Sequence, residues 1–505
     1  MKDQYDVIII GTGLGGLTAG AKLSREGYRV LSIEQHNIPG GCATTFQRKD
    51  YTVEVGLHEL DGLDDKDVKR HIFKELGVMD HIDFVKLPEF YRYVHKDDEF
   101  IMPHNREQAT HLLIEKFPND KTAILKFFSI IYGIKREILK YPKNKILKFL
   151  LLPLFPILFP NLVKYAKKGI GEILDLITEN EDLKLILMAN VAYYHDDPHT
   201  LSSVYFSAGQ ASYFEGGHYI RGGSQKLSDY LASYIQDHGG EVIYRHLVSK
   251  IITKNGRATG VEYKKVRGKN APPLTATARF IIANAAIPNV TQMLDSESRK
   301  LLEEKTSHMM ISNSLLTLYL GFNKAPSEFG SRHYSTFILN QEINNLHDMT
   351  KDLKSHDYGK KSFIYVDYSQ INSELTKNGK HLMVLATTDY MHNWDGLSRE
   401  EYKKKKEEVS QIFIKRLDKV LPGISKVIDY YELATPKTIE KYTLNPGGTA
   451  YGYAQTVDQS GNNRIRAKSP VDGLYFASAW GFPGGGFSGA IISGYLCGLT
   501  VLKEG

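Results

Sequence analysis

The chain has 505 residues, 42% of them hydrophobic and 24% charged, and it exceeds what one hydrophobic core usually organises, so two lobes are expected. Its formal charge of +6 is a small excess that does not argue for nucleic acid as a partner. Two cysteines, Cys42 and Cys497, leave no disulfide framework and point to a reducing compartment. The sequence enters an apolar run directly after Met-Lys-Asp-Gln-Tyr, which leaves no room for an export signal, so a cytoplasmic location is expected.

Val7 to Ile10 is an unbroken apolar run, as a parallel strand buried on both faces requires. Gly11, Gly13 and Gly16 follow with the spacing of a dinucleotide turn: one glycine for the tight bend, one for bare backbone at a pyrophosphate, one for a close helix crossing. The helix predicted from Leu14 to Glu26 aims its positive N-terminal end at phosphate. After Gly27, the strand Arg29 to Ile33 delivers Glu34 where a carboxylate accepts both ribose hydroxyls and disfavours a 2'-phosphate. The ligand is then FAD or NAD rather than NADP. A second glycine loop, Pro39 to Phe46, and the strand Tyr51 to Val55 lead into Gly56-Leu57-His58. A nicotinamide-only domain would continue into another strand and helix here, whereas this loop returns amides to the centre of the cofactor, which favours FAD.

From about Lys66 to Asn180 the chain reads as helical and rich in Lys and Leu. Within it, Phe149 to Val163 is almost wholly apolar and holds three prolines. As a helix it would reach only about 22 Å against a hydrocarbon core of roughly 30 Å, and the prolines break its ladder, so it cannot span. Lys140, Lys143, Lys145 and Lys148 precede it and Lys164, Lys167 and Lys168 follow, which frames an apolar wedge with cations suited to anionic headgroups. Segment 140–168 is therefore expected to bind a membrane surface peripherally, the alternative being a buried helix pair between lobes.

An amphipathic helix is predicted from Ser224 to His238, then strands at Glu241 to Tyr244, Val248 to Thr253, Ala258 to Lys264 and Ala278 to Ala283, the last ending at Asn284. Residues 305–435 mix strands (Leu315 to Phe322, Phe363 to Val366, Leu382 to Thr387) with a helix from Arg399 to Leu421 whose buried stripe is Val409, Ile412, Phe413, Leu417 and Val420. Near the C-terminus a strand, Leu474 to Ala477, runs into a glycine loop and a helix from about Ala490 to Leu502. This repeats the strand, amide-lined turn and helix of the N-terminus. His195-Asp196-Asp197-Pro198-His199 reads as a turn before a helix near Thr200 rather than as a metal site, and no metal is expected.

The loops at both ends resemble the flavin-dependent amine oxidase superfamily, and within it the phytoene desaturase, carotenoid cis-trans isomerase and retinol saturase branch. The likeness is carried by Gly11 to Gly16 with Glu34, by Gly40-Gly41-Cys42-Ala43-Thr44-Thr45-Phe46 with Val55-Gly56-Leu57-His58, and by Gly473 to Phe476 through Pro483-Gly484-Gly485-Gly486. Two positions depart from it: Cys42 stands where relatives often carry Arg, and Ser478 and Ala479 stand where an acid often ends the late strand.

The resemblance implies an α/β fold: a Rossmann-like, glutathione reductase-like FAD-binding lobe (1–65, 216–300 and 436–505), a helical insertion (66–215) that contacts the membrane, and a mixed substrate lobe (301–435). It implies FAD held by Gly11, Gly13, Leu14, Gly15, Gly16, Glu34, Gln35, Gly41, Cys42, Ala43, Val248, Asn284, Trp480, Gly485, Gly486, Phe487 and Ser488. It also implies a long polyene or isoprenoid substrate aligned in an apolar tunnel, with quinone, oxygen or NAD(P)H as electron partner. His58 and Glu59 are the candidate proton donors or acceptors beside the flavin. A non-catalytic prenyl escort of the same fold and a soluble flavin amine oxidase are the alternatives.

Overall fold

The computed structural model describes residues 4–142, 145–266 and 272–505, and the side chains of all of these except 145–147. Two seven-stranded sheets organise it. In the first, Glu241–Ile243, Val30–Ile33, Gln4–Ile10 and Leu274–Ala283 lie side by side in parallel. Leu274–Ala283 is shared: its first half pairs antiparallel with Arg257–Lys265, which pairs with His246–Lys254, and its second half pairs in parallel with Leu474–Phe476. Val7, Ile8, Ile9 and Ile10 are buried, as a strand covered on both faces demands. Because these strands are parallel, Gly11, Glu34, Asn284 and Ala477 emerge together at one edge, the place where open α/β sheets bind ligands.

Helix Leu14–Arg25 packs on this sheet and against the C-terminal helix Gly486–Leu502. The contact is close because Gly494 faces Gly15: a Cβ there would lie 2.2 Å from the Gly15 carbonyl oxygen. The C-terminal helix begins four residues before the expected Ala490. The glycine density of 484–489 reads as loop, yet Gly485 serves as the N-cap and puts Phe487 and Ser488 in the first turn.

The second sheet runs in the order Ile428–Ala434, Ser314–Phe322, His381–Asp389, Phe363–Asp367, Ser335–Ile338, Tyr91–His95, Asp98–Met102. Its last two strands correct the expectation of an all-helical segment from 66 to 180. Tyr91, Tyr93 and His95 alternate with half-buried residues, a period of two that the surrounding Lys- and Leu-rich helices mask. Helix Arg399–Val420 covers one face of the sheet, with Val409, Phe413, Ile414 and Leu417 buried and Ile412 and Val420 only partly so. Leu60–Asp61, Gly217–Ile220 and Phe84–Lys86 form a separate small sheet, with Gly217–Ile220 in the middle.

Segment 149–163 divides into short helical pieces, Lys145–Leu151, Leu152–Leu154, Phe155–Leu158 and Pro160–Tyr165, as its prolines require. Phe149, Leu150 and Ile157 are 76%, 65% and 76% exposed, so the stretch is not a buried helix pair. Phe159 is the exception: it is buried in a ring cluster with Tyr141 and Phe155, centroids 5.0 to 5.8 Å apart. Buried Glu137 fixes the base, accepting from the Asn161 amide N–H at 3.1 Å, its side-chain amide at 2.6 Å and the Leu162 N–H at 2.8 Å. Of the flanking cations, Lys143 and the Lys145 side chain lie outside the described residues. Among those residues no helix is long and apolar enough to cross a membrane.

Candidate active site between the glycine loops and the second sheet

Gly11, at φ +87°, makes the bend, and a Cβ on it would meet the Asn284 carbonyl at 2.7 Å. A Cβ on Gly15 would lie 2.2 Å from the Ala477 carbonyl, and one on Gly16 would lie 2.5 Å from that of Gly11. The turn is thus closed by backbone on its inner side. Asn284 is sewn into it, its side-chain N–H donating to the Ala477 carbonyl at 2.8 Å and its side-chain oxygen accepting from the Gly13 N–H at 2.6 Å. Leu14 is buried at the start of the helix. The second loop lies on the first: Gly40 N–H donates to the Thr12 carbonyl at 2.8 Å, and a Cβ on Gly41 would touch the Gly13 Cα at 3.4 Å.

Glu34 is buried at the end of its strand and accepts from the Thr12 N–H and hydroxyl at 2.8 and 2.7 Å and from the His36 N–H at 2.8 Å. Gln35 turns outward to the Tyr442 carbonyl at 3.4 Å. Val248 is buried two residues beyond His246, whose N–H donates to the Glu34 carbonyl at 2.8 Å, so it stands beside the acid. Trp480 is buried, donates to the Asn445 side chain at 3.2 Å and packs edge-on against Tyr453.

The three glycine segments converge where Gly56, Cys42 and Phe487 meet. A Cβ on Gly56 would lie 3.1 Å from the Cys42 carbonyl and 3.9 Å from the Phe487 ring. Ala43 is buried, and burial pushes the Cys42 thiol up to about 11, so it stays protonated and unreactive. Gly56 to His58 is pinned on three sides. Tyr368 donates to the Leu57 carbonyl at 2.8 Å, Tyr334 donates to the His58 carbonyl at 2.5 Å, and the Glu54 carboxylate accepts from the Gly56 and Leu57 N–H groups. Glu54 also takes Ser224 N–H and hydroxyl hydrogen bonds at 2.8 and 2.7 Å, which ties this segment to helix Gln225–Asp237.

Between these segments and the second sheet lies a cavity of about 160 Å³. Gly56, Gly486 and Phe487 form one side; Leu315, Phe337, Leu339, Phe363 and Ile364 form the other; Tyr193, Tyr213 and Tyr451 complete the walls. His58 and Glu59 both line it. Burial pushes the His58 imidazole down to about 4, so it is neutral at physiological pH. Burial, then the nearby Asp61, holds the Glu59 carboxyl well above the usual carboxylate range. Among the described residues no Lys, Arg or Asp lines the cavity. Its volume is below that of usual ligand pockets, about 300 Å³ or more, so this cavity by itself has room for one segment of a chain.

Two charged devices were not foreseen from the sequence. Lys69, 2% exposed at its side chain, donates to Asp61 at 3.0 Å and Asp67 at 2.9 Å. Burial alone would lower the ammonium, but the two carboxylates outweigh it and hold it raised. Asp61 in turn accepts from the Ser488 hydroxyl, which links this ion group to the first turn of the C-terminal helix. Arg464 is buried without a carboxylate and donates to the carbonyls of Tyr453, Ala454, Ala479 and Gly481, clasping the loop after the last strand. Burial pushes its guanidinium down to about 10.

His195 to His199 forms the expected turn, with the next helix at Ser203–Tyr213; among the described residues no group of three or more His, Cys, Asp and Glu is placed to hold a metal ion.

The family model described as flavin containing amine oxidoreductase matches residues 14–497, and the chain belongs to that family. The prolycopene isomerase of Daucus carota is 26% identical over 99% of this chain and 80% of its own. The all-trans-retinol 13,14-reductase of Danio rerio is 24% identical over 100% of this chain and 87% of its own. The crystal structure of an oxidoreductase from Methanosarcina mazei shares the fold, with a TM-score of 0.63 at 16% identity over 99% of this chain and 100% of the other. The chain is a flavin-dependent oxidoreductase whose cofactor is FAD. The glycine cradle, with its close backbone and the acid at the end of the second strand, fits that cofactor.

Proposed function

We propose that this flavoprotein acts on carbon–carbon bonds of a long polyene or isoprenoid lipid, as a desaturase, saturase or cis-trans isomerase, taking its substrate from a membrane surface. The cavity carries this reading: aromatic and aliphatic side chains face the flavin loops, and among the described residues the ionisable groups on its walls besides tyrosines are an imidazole that burial keeps neutral and a carboxyl that burial holds well above the usual carboxylate range. An amine cation entering there would meet one carboxyl, Glu59, whose ionisation burial resists, and otherwise apolar walls, which disfavours the amine oxidase alternative. The polyene and retinoid names of the two relatives support the same substrate class.

FAD, when bound, supplies hydride transfer. The chain's own groups do the rest: the glycine loops, Glu34, Asn284 and the first turn at Gly485 to Ser488 hold the cofactor, and the apolar walls exclude water and align one bond. His58 and Glu59 stand at the reacting segment to give or take a proton. The exposed wedge Phe149, Leu150 and Ile157, with Lys140, Lys148, Lys164, Lys167 and Lys168 around it, docks on anionic lipid. Quinone, oxygen or NAD(P)H exchanges electrons with the enzyme.

The test is anaerobic incubation of the yellow protein, oxidised or pre-reduced, with carotenoids and retinoids, read by absorbance and mass. Loss of two hydrogens marks desaturation, gain of two marks saturation, and an absorbance change at constant mass marks isomerisation. No change with any polyene, together with turnover of an amine, overturns the reading. A colourless protein that FAD cannot reconstitute favours the escort.

A further inference from the structure

Two buried polar atoms behind the cavity wall lack partners and border the same small space. Glu59 Oε1 and His104 Nε2 each have no hydrogen bond, and a Cβ on Gly217 would lie 2.2 Å from the first and 2.5 Å from the second. The glycine leaves open the room in which they face each other. In this arrangement they do not bond; the approach of the two side chains, His104 Nδ1 to Glu59 Oε1, is 3.6 Å.

His104 is firmly placed. Its ring stacks on Phe90 with centroids 5.4 Å apart, and its Nδ1 lies 2.9 Å from the Tyr213 carbonyl. A carbonyl only accepts, so the proton is on Nδ1, and Nε2 presents a bare lone pair. Burial, with His218 and Lys86 adding to it, pushes the imidazole down to about 4, so this neutral tautomer is the resting form. Across the gap, burial and then Asp61 raise the Glu59 carboxyl well above the usual carboxylate range, which favours its acid form, and Tyr193 and Tyr334 stand near it. Neither Glu59 Oε1 nor His104 Nε2 makes a hydrogen bond within normal distance, although the backbone of Glu89, like that of Tyr213, lies near enough to the His104 ring to favour its charged form. His218, half-buried on the strand Gly217–Ile220, is close enough to His104 to act on its titration.

We propose that His104 is the positioning and proton-exchange partner of Glu59: a small rotation of the carboxyl brings its O–H onto Nε2, and the proton that Glu59 trades with solvent passes by that nitrogen. This deepens the proposed function, on which it rests for the need to renew a proton at the cavity. The cavity wall itself is too apolar to supply one.

The experiment uses the FAD-loaded protein and no substrate. Its infrared spectrum should contain a protonated-carboxyl band that Glu59→Gln removes, and transfer into heavy water times its exchange. His104→Phe, which keeps the stack on Phe90 but has no nitrogen, should slow that exchange by about tenfold or more, and His104→Gln, which restores an acceptor, should recover most of it. Should His104→Phe fail to fold, Gly217→Ala places a methyl between the pair and should slow exchange likewise, with flavin absorbance and thermal midpoint reporting the fold. A Glu59 band missing at neutral pH overturns the proposal, as does an exchange rate that the folded variants leave unchanged. A protein that transforms no polyene yet shows the slowed exchange removes the substrate reading and keeps the pair.

Discussion

The glycine loops around Gly11, Gly41 and Gly485 and the proline-broken segment 149–163 are both made of short, interrupted elements, yet they end in opposite states. The loops pack backbone on backbone until one added Cβ collides, at 2.2 Å for Gly15, whereas the segment leaves Phe149 and Ile157 76% exposed. Glycine removes side chains so that main-chain groups crowd a ligand; proline breaks a helix so that its apolar side chains spread over a surface. Tight packing marks the region whose geometry fits a cofactor, and unburied apolar area marks the region proposed to meet a lipid surface.

The comparison is tested hardest at the ion group that locks the C-terminal helix to the cavity. Replacing Lys69 with Met leaves Asp61 and Asp67 buried without a cation, and the expected loss is about 3 to 5 kcal/mol. The sign with pH follows from the carboxylates. In the wild type, burial works against Asp61, but Lys69 outweighs it and holds its carboxyl below the ordinary value. That contribution is present above the unfolded value and is lost as pH falls through the folded one. In the variant Asp61 keeps its burial and loses that cation, so the deficit should shrink on acidification and grow towards neutrality. Thermal midpoints of both proteins at about pH 4.5 and about pH 7.5 read this directly; a deficit independent of pH would break the assignment.

Gly15→Ala comes next. Its methyl would meet the Ala477 carbonyl, a backbone atom that cannot step aside, and the expected cost is about 3 kcal/mol with loss of bound flavin. Glu34→Gln should leave the fold intact and weaken FAD by about 1 to 3 kcal/mol, measured as flavin released on dilution. Equal flavin occupancy in wild type and variant would move the ribose away from this acid.

These residues were legible because their signal is local: Gly11, Gly13, Gly16 and Glu34 form a spacing that one strand, one turn and one helix impose on any sequence that uses them. Lys69, Arg464, Glu54 and His104 were not, since each looks like an ordinary polar residue until the fold buries it: Glu54 and His104 against Ser224 and Tyr213 far along the chain, Lys69 and Arg464 against neighbours whose burial their spacing does not announce. The hairpin Tyr91 to Met102 was readable in principle, because its alternation is plain once the composition around it is set aside. The wedge was legible as an apolar, cation-framed stretch, but not which of its side chains turn inward: that is decided by Tyr141 and Glu137, which precede it.

That division within the wedge gives the smallest expected effect on stability and the sharpest test of what exposure means. Phe149, Leu150 and Ile157 contribute little to the folded core, so changing all three to Ser should shift stability by less than about 0.5 kcal/mol at each site. FAD should be retained, because the segment lies outside the glycine loops. If the patch docks on lipid, wild type should co-sediment with anionic liposomes and the triple variant should not. Raising salt should weaken the wild-type association only in part, since screening reaches the lysines and not the apolar contact. Phe159→Ser is the internal control: its ring is buried with Tyr141 and Phe155, so it should lower the thermal midpoint instead. A triple variant that unfolds or sheds flavin, beside a wild type that ignores liposomes, would place the patch against protein, and the route of a lipid substrate into the cavity would then have to begin elsewhere.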